Sequence, residues 1–206
     1  MLGEPNGFGS SRCVFTLSDN LILKLAVGDQ YQAGIAQNKQ EYEMYETWDS
    51  PLLVRIYNVD KNFTFLICES VVPAERIDFE QILGLPFYRC VQGDKYNVDG
   101  EEIVGYDEYF DKLKNPDEET KINVYNILAY IESNYVFHEP YHDEKIEKAI
   151  KNSEWLSQFR NFIMRTGMPD FCQIGNFGLV NRNGNPTLVI LDSGFSLDIW
   201  NKYYAN

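Results

Sequence analysis

The stretch GFGSSRCVFTLSDNLILKLA, residues 7–26, decides the fold of this chain. It contains two apolar runs, residues 13–17 and 21–26, and the polar residues 18–20 between them favour a tight turn. Two apolar runs joined by a short polar turn are typical of a β-hairpin. The sequence therefore predicts two antiparallel strands that directly follow a loop with two glycines.

A lysine, Lys24, lies inside the second run, where an unpaired and buried ammonium group would cost free energy. The helix predicted next, over residues 36–48, carries three candidate partners, Glu41, Glu43 and Glu46. Glu41 and Glu43 point about 200° apart around a helix, so only one of them can face Lys24. The alternative is a Lys24 at a strand edge, with its ammonium group in solvent.

The rest of the chain predicts more strands, then helices, then a last hairpin. Strands are expected over residues 52–57 and 63–69, and further helices over residues 78–83, 106–113, 119–135 and 143–166. The last hairpin pairs residues 177–180 with 187–191 around Asn183-Gly184, a dipeptide that favours a two-residue turn. This order predicts an α+β fold in two parts, residues 1–72 and 73–206.

Composition restricts the partners and the location. The 206-residue chain has a formal net charge of −13, and 44% of its residues are hydrophobic. Because an acidic protein repels phosphate backbones, nucleic acid is not expected as a partner. No apolar run approaches the roughly 18 residues of a membrane span, and the four cysteines form no CxxC pair. We therefore expect a cytoplasmic protein with reduced thiols and no membrane contact.

The last hairpin is expected to bring two oxygen-bearing side chains to one end. If its strands pair across Asn183-Gly184, Asn176 and Asp192 lie at the same open end, and Asp170 lies upstream in a loop that follows a helix. Amide and carboxylate oxygens suit Mg²⁺ as ligands. The alternative is that these residues are ordinary turn formers at strand ends.

The glycine loop before the first strand is a candidate anion site. Gly7, Gly9, Ser10 and Ser11 have small side chains or none, so backbone N–H groups there can approach an anion closely. A flexible N-terminal segment would have the same composition. The loop becomes informative only together with the other parts.

The order of these parts resembles that of the protein kinases. Residues 7–14 resemble the glycine-rich pattern GxGxxGxV, with Arg12 in the place of the third glycine. Residues 23–25 resemble the lysine strand, residues 69–71 the hinge, and residues 192–194 the DFG motif with serine for phenylalanine. More narrowly, residues 7–26 followed by GIAQNKQE resemble small kinase-like proteins encoded by bacteriophages, and this resemblance favours Glu41 as the partner of Lys24.

The resemblance implies a protein-kinase-like fold and a site for ATP and Mg²⁺. The N-terminal lobe would be an antiparallel sheet with one helix, and the C-terminal lobe would be reduced, mainly helical, and carry the last hairpin. The resemblance implies that the ATP phosphates contact the backbone of Gly7, Gly9, Ser10 and Ser11, and also Lys24, which Glu41 would hold. Glu69 and Val71 would contact the adenine, and Asn176 and Asp192 would bind Mg²⁺. Asp170 would orient the attacking hydroxyl.

The chain also departs from the kinase pattern. Asp170 and Asn176 are six positions apart, whereas the kinase catalytic loop separates its Asp and Asn by five. Met168-Pro169 replaces the expected His-Arg, and Ile22 stands where kinases prefer a small residue. Only 14 residues follow Asp192, so the helices that bind peptide substrates in protein kinases are not expected.

Three hypotheses about function remain open. The first is an ATP- and Mg²⁺-dependent phosphotransferase of minimal size with an unknown acceptor. The second is a pseudokinase without turnover that serves as a binding or structural module, either in a phage virion or in contact with a host protein. The third is an unrelated α+β protein. Lys24 and Asp192 at one site would argue against the third, and an arginine or tyrosine side chain filling that site would argue against the first.

Overall fold

The computed structural model is mixed α+β and forms two compact units. It describes residues 4–48, 50–85, 95–98, 101–104, 122–138, 142–168 and 174–205. The first unit comprises residues 1–73, 167–169 and 175–206, and the second comprises residues 74–166 and 170–174. No described helix is long and apolar enough to cross a lipid bilayer.

The described part of the chain contains ten strands and six α-helices. The strands are β1 Gly7–Phe8, β2 Arg12–Ser18, β3 Leu21–Ala26, β4 Ile56–Val59, β5 Phe65–Glu69, β6 Val72–Pro73, β7 Lys95–Val98, β8 Glu101–Val104, β9 Phe177–Arg182 and β10 Asn185–Ile190. The helices are α1 Tyr31–Thr47, α2 Arg76–Leu83, α3 Val124–Tyr135, α4 Glu144–Asn152, α5 Glu154–Thr166 and α6 Leu197–Tyr203.

The first unit is built on a five-stranded antiparallel sheet with the strand order β1-β2-β3-β5-β4. The predicted hairpin of β2 and β3 is confirmed, and it places Arg12 opposite Ala26 and Val14 opposite Lys24. Strand β3 pairs with β2 on one side and β5 on the other, so it is an interior strand. The predicted strand over residues 52–57 is wrong in its bounds, because residues 52–54 are buried without strand pairing beyond a single bridge between Leu53 and Ile190.

Helix α1 connects β3 to β4 and starts five residues before the predicted position. Its buried face contains Ala33, Gly34, Gln37, Asn38 and Glu41, which recur at helical spacing but are mostly polar or small. A search for apolar periodicity therefore misses its first turns. The close approach of the helix to the sheet requires glycine at position 34, since a Cβ atom there would lie 2.9 Å from the Cβ of Ala26.

The last hairpin is confirmed, but it belongs to the first unit. Strand β9 pairs with β10 on one side and with β6 on the other. Asn183 and Gly184 have φ angles of 56° and 85°, the positive values that a two-residue type I′ turn requires. Val180 and Val189 share a core with Leu66 and Cys68 of β5. The sequence assigns all of residues 73–206 to one part, whereas the structure groups residues 175–206 with the N-terminal sheet.

The second unit contains helices α2 to α5 and the β7–β8 hairpin. The single helix predicted over residues 143–166 is wrong, because the extended backbone of Ser153 separates α4 from α5. The Ser153 hydroxyl oxygen accepts a hydrogen bond from the Leu156 amide at 3.3 Å, which restarts the helix. Apolar residues of α3, α4 and α5 are fully buried, among them Ile127, Ile150 and Phe159. The predicted helix over residues 106–113 lies outside the described residues.

Candidate functional site

Lys24 lies in the interior of the sheet of the first unit and is only 5% exposed. Its ammonium Nζ forms an ion pair with Oε1 of Glu41 on α1. Nζ also donates a hydrogen bond of 2.5 Å to the backbone carbonyl oxygen of Leu191, which directly follows β10. The predicted partner is therefore present, and the alternative of a solvent-exposed ammonium at a strand edge is wrong.

Helix geometry selects Glu41 among the three candidate carboxylates. Glu41 is buried, while Glu43 and Glu46 are exposed. Oε1 of Glu43 lies 3.6 Å from Nζ of Lys39, one helical turn earlier, and the two residues form an ordinary surface ion pair. The roughly 200° separation between Glu41 and Glu43 on a helix accounts for this division into one inward and one outward carboxylate.

Arg12, the residue in the place of the third glycine, joins the same cluster. Its guanidinium Nη1 lies 2.8 Å from Oε2 of Glu41 and donates a 3.1 Å hydrogen bond to the side-chain oxygen of Asn38. Its Nη2 lies 2.7 Å from Oδ1 of Asp192. Arg12 itself is 7% exposed. One buried guanidinium therefore bridges helix α1 and the turn that follows β10.

The four charged side chains form a continuous chain of ion pairs, from Lys24 to Glu41 to Arg12 to Asp192. Partial burial raises the pKa of the Asp192 carboxyl, but the positive charges of Arg12 and Lys24 outweigh that effect, and the pKa lies below its usual value. Burial lowers the pKa of Arg12, and the carboxylates of Asp192 and Glu41 more than compensate, so the pKa is raised. Arg12 and Asp192 are thus expected to be charged near neutral pH.

Gln37 on α1 forms a second, uncharged connection. The Ser11 hydroxyl donates a 3.2 Å hydrogen bond to Oε1 of Gln37, and Nε2 of Gln37 donates a 2.8 Å hydrogen bond to the Tyr204 hydroxyl oxygen. A Cβ atom at Gly194 would lie 3.0 Å from the carbonyl carbon of Gln37, so the turn after β10 passes directly over this residue. One glutamine thereby contacts the glycine loop, this turn and the C-terminal end of the chain.

The glycine loop uses part of its own hydrogen-bonding capacity. The Gly9 amide donates to the carbonyl oxygen of Arg12 at 2.8 Å, and the Ser11 carbonyl oxygen accepts from the Val27 amide at 3.0 Å. Gly7 pairs with Val14 in the short strand β1. Gly9 and Ser10 are exposed, whereas Ser11 is buried.

The side chain predicted to contact adenine has a structural partner. Oε1 of Glu69 accepts a 2.9 Å hydrogen bond from the Arg55 amide and lies 2.6 Å from Nη2 of Arg182 on β9. The same Nη2 donates to the carbonyl oxygen of Leu53 at 2.7 Å. Val71 packs, partly buried, against the core of the first unit. The Glu69 carboxylate thus connects the five-stranded sheet to the last hairpin.

Asn176 and Asp192 lie at the same end of the hairpin, as predicted. Ile190 pairs with Phe177, and the Leu191 amide donates to the Asn176 carbonyl oxygen at 2.8 Å. Oδ1 of Asp192 faces Arg12 and also accepts from the Gly194 amide at 3.2 Å. Among the described residues no group of three or more His, Cys, Asp or Glu side chains could hold a metal ion.

Oδ1 of Asp192 is thus held by the Arg12 guanidinium, whose positive charge disfavours a cation at the same oxygen. Asp170, predicted to orient the attacking hydroxyl, lies outside the described residues.

The sequence carried a signal for the role of Arg12 that the kinase-like pattern concealed. With a turn at residues 18–20, Arg12 stands opposite Ala26, two positions from Lys24. Residues two apart share a face of a strand, so Arg12 and Lys24 point to the same side of the sheet. Two cations side by side on one sheet face require more than one carboxylate. Nothing comparable in the sequence indicated Gln37 or Tyr204.

The chain was compared with protein-family models, curated proteins and solved structures. No protein-family model, no curated protein and no solved structure matches the chain. Functional inference therefore depends on the geometry of the first unit.

Proposed function

We propose that this chain is a kinase-like binding module that does not transfer phosphate, the pseudokinase alternative. The observation that supports this choice is the position of the Arg12 guanidinium, held between Glu41 and Asp192. The positive charge that a kinase obtains from Mg²⁺ is supplied here by a side chain of the protein.

The kinase-like part of the proposal is supported by architecture and by charge. A five-stranded antiparallel sheet carries one helix between its third strand in sequence and the next. The interior-strand lysine pairs with a glutamate of that helix. The Asp-Ser-Gly turn follows the last hairpin and lies next to the same lysine through the Leu191 carbonyl oxygen. These three features support the kinase-like part of the proposal.

Electrostatics supports the proposed absence of turnover. Phosphoryl transfer depends on positioning and on neutralising charge, with Mg²⁺ held by the aspartate of the DFG motif. Two like unit charges 4 Å apart repel by about 4 kcal/mol at an effective dielectric constant of about 20. A divalent ion at Asp192 would meet about twice that repulsion from Arg12, which is nearly fully buried.

The phosphotransferase hypothesis is the second candidate, and one observation favours it. The Asp192 side chain is 40% exposed, so solvent and ions reach its outer side. If Arg12 withdrew, the carboxylate would be available to a metal.

Isothermal titration calorimetry with ATP, with and without Mg²⁺, separates the two candidates. For the wild-type chain, we expect no Mg²⁺-dependent heat of ATP binding and no release of phosphate from ATP. Asp192→Asn should behave like the wild type, and Asp198→Asn, at an exposed position on α6, serves as the matched control. ATP binding that requires both Mg²⁺ and Asp192, followed by turnover, would overturn the proposal.

The partner that such a module binds is proposed to be a protein of phage or host origin. A net charge of −13 argues against nucleic acid. A module whose charged site is internally neutralised retains a rigid surface for association without depending on a nucleotide.

A further inference from the structure

The C-terminal segment of the first unit is an ordered element with its own aromatic cluster. Phe195 contacts Trp200 and Tyr204 edge to face, with ring centroids 5.9 Å and 5.7 Å apart. Trp200 stacks on Tyr204 at 5.8 Å with an interplanar angle of 11°. Ser196 caps α6 by accepting a 3.3 Å hydrogen bond from the Ile199 amide, and Ile199 is buried. These contacts fix the position of the Tyr204 ring.

Tyr204 meets the glycine loop of the same unit. Its hydroxyl oxygen accepts the 2.8 Å hydrogen bond from Gln37 and lies 3.4 Å from the Ser10 hydroxyl. Because Gln37 also holds the Ser11 hydroxyl, both serines of the loop are connected to the C-terminal segment. The segment therefore contacts the part of the loop that would approach a phosphate group.

We propose that residues 195–205 form an internal lid on the glycine loop, held closed by the Tyr204–Gln37–Ser11 hydrogen bonds. Gly9 and Ser10 are exposed, so the lid covers only the buried Ser11 end of the loop, which a phosphate-bearing ligand would reach after the lid moves. The identity of the loop as a phosphate site rests on the proposed kinase-like fold, whereas the lid itself can be tested without any ligand.

The structure of the lid depends on its contacts with the rest of the first unit. Helix α6 has seven residues, well below the roughly 12 to 15 at which an isolated helix becomes even marginally stable in water, so it depends on its contacts with the rest of the unit. Its outer face exposes Trp200 at 44% and also Leu197. Breaking those contacts would therefore release the helix from the glycine loop.

Hydrogen–deuterium exchange of the full-length chain tests the lid. In Tyr204→Phe the ring and its stacking remain, while the hydrogen bond from Gln37 is lost. We expect peptides covering residues 9–12 to exchange about fivefold faster than in the wild type, the effect of one net hydrogen bond. Tyr203→Phe removes the same atom from the adjacent residue and should leave these peptides unchanged. A chain ending at Ser196 should exchange faster still.

Equal exchange rates of residues 9–12 in wild type, Tyr204→Phe and Tyr203→Phe would contradict the proposed lid. If the shortened chain fails to fold, as judged by exchange in β9 and β10, the comparison of the two phenylalanine variants decides alone. Faster exchange throughout the unit in Tyr204→Phe would also overturn the proposal, because it would mean general destabilisation. None of these outcomes involves ATP, so the lid and the proposed function can fail independently.

Discussion

At the scale of single residues, the first unit depends on a buried cluster of two cations and two carboxylates. Glu41 is its centre, because it is the residue that contacts both Lys24 and Arg12. Buried charges are tolerated when they are paired, and removing one partner leaves an uncompensated charge. The cost of each substitution should therefore depend on how many charges it leaves unpaired.

The largest effect is expected for Glu41→Gln. This change leaves two nearly buried cations next to each other, and we expect a loss of about 3–5 kcal/mol in the free energy of unfolding. Glu43→Gln, at an exposed position of the same helix, is the matched control and should change stability by less than about 1 kcal/mol. Urea-induced unfolding followed by circular dichroism measures both. Similar stabilities of the two variants would contradict the buried network.

A pH dependence follows from the lowered pKa of Asp192. A carboxyl whose folded-state pKa is depressed stabilises the fold above its unfolded pKa of about 3.9 and loses that contribution as pH falls through the folded value. Asp192→Asn should therefore reduce the melting temperature at pH 7, and the difference from wild type should shrink below about pH 4. Thermal unfolding across this range provides the measurement. A difference independent of pH would show that the effect is not electrostatic.

At the scale of elements, the sequence predicted those strands and turns whose signals are local. The β2–β3 and β9–β10 hairpins were predictable because each has alternating or continuous apolar residues on both sides of a turn signal. The start of α1 was not, since its buried face consists of small and polar side chains that satisfy one another. The break at Ser153 was also missed, because apolar residues keep helical spacing on both sides of it.

The turn of the last hairpin yields a prediction at this scale. Gly184 has a φ angle of 85°, a conformation that costs an L-residue roughly 1–2 kcal/mol. Gly184→Ala should lower the free energy of unfolding by about that amount. Gly175→Ala is the control, since a Cβ atom there meets nothing within 4 Å and its φ is not positive. Equal urea midpoints for the two variants would contradict the type I′ turn.

At the scale of the whole molecule, the division into units was not predictable from the order of elements. Residues 175–206 are separated from the N-terminal sheet by about a hundred residues, yet they complete its core. The reason is pairing between distant segments: β6 with β9, Leu53 with Ile190, and Glu69 with Arg182. The division into units is therefore determined by contacts between residues far apart in the sequence, which local sequence patterns do not reveal. The candidate site was only partly predicted, because the signal for Arg12 lies in the register of the β2–β3 hairpin and not in a local motif, and Tyr204 has no signal in the sequence.

Cys68 reports on the integrity of the first unit as a whole. It is fully buried in the core that joins the sheet to the last hairpin, and burial raises its pKa to about 12. Because the thiolate is the reactive form, iodoacetamide should not modify Cys68 in the native chain at pH 8 and should modify it after unfolding in urea. Mass spectrometry of the alkylated peptides makes this check. Rapid native labelling would show that the core opens locally without global unfolding.

The Arg12 guanidinium has one further consequence. A metal ion is acquired from the medium and can be removed by a chelator, whereas this counter-ion is installed by translation and is present in every copy of the chain. The charge balance around Glu41 and Asp192 should therefore be the same in EDTA as in millimolar magnesium, and equal melting temperatures in the two buffers would establish it. Under the proposed function, metal supply would not control this site. Its arrangement of charges can be changed by mutation of a single codon, but not by the ionic composition of the cell.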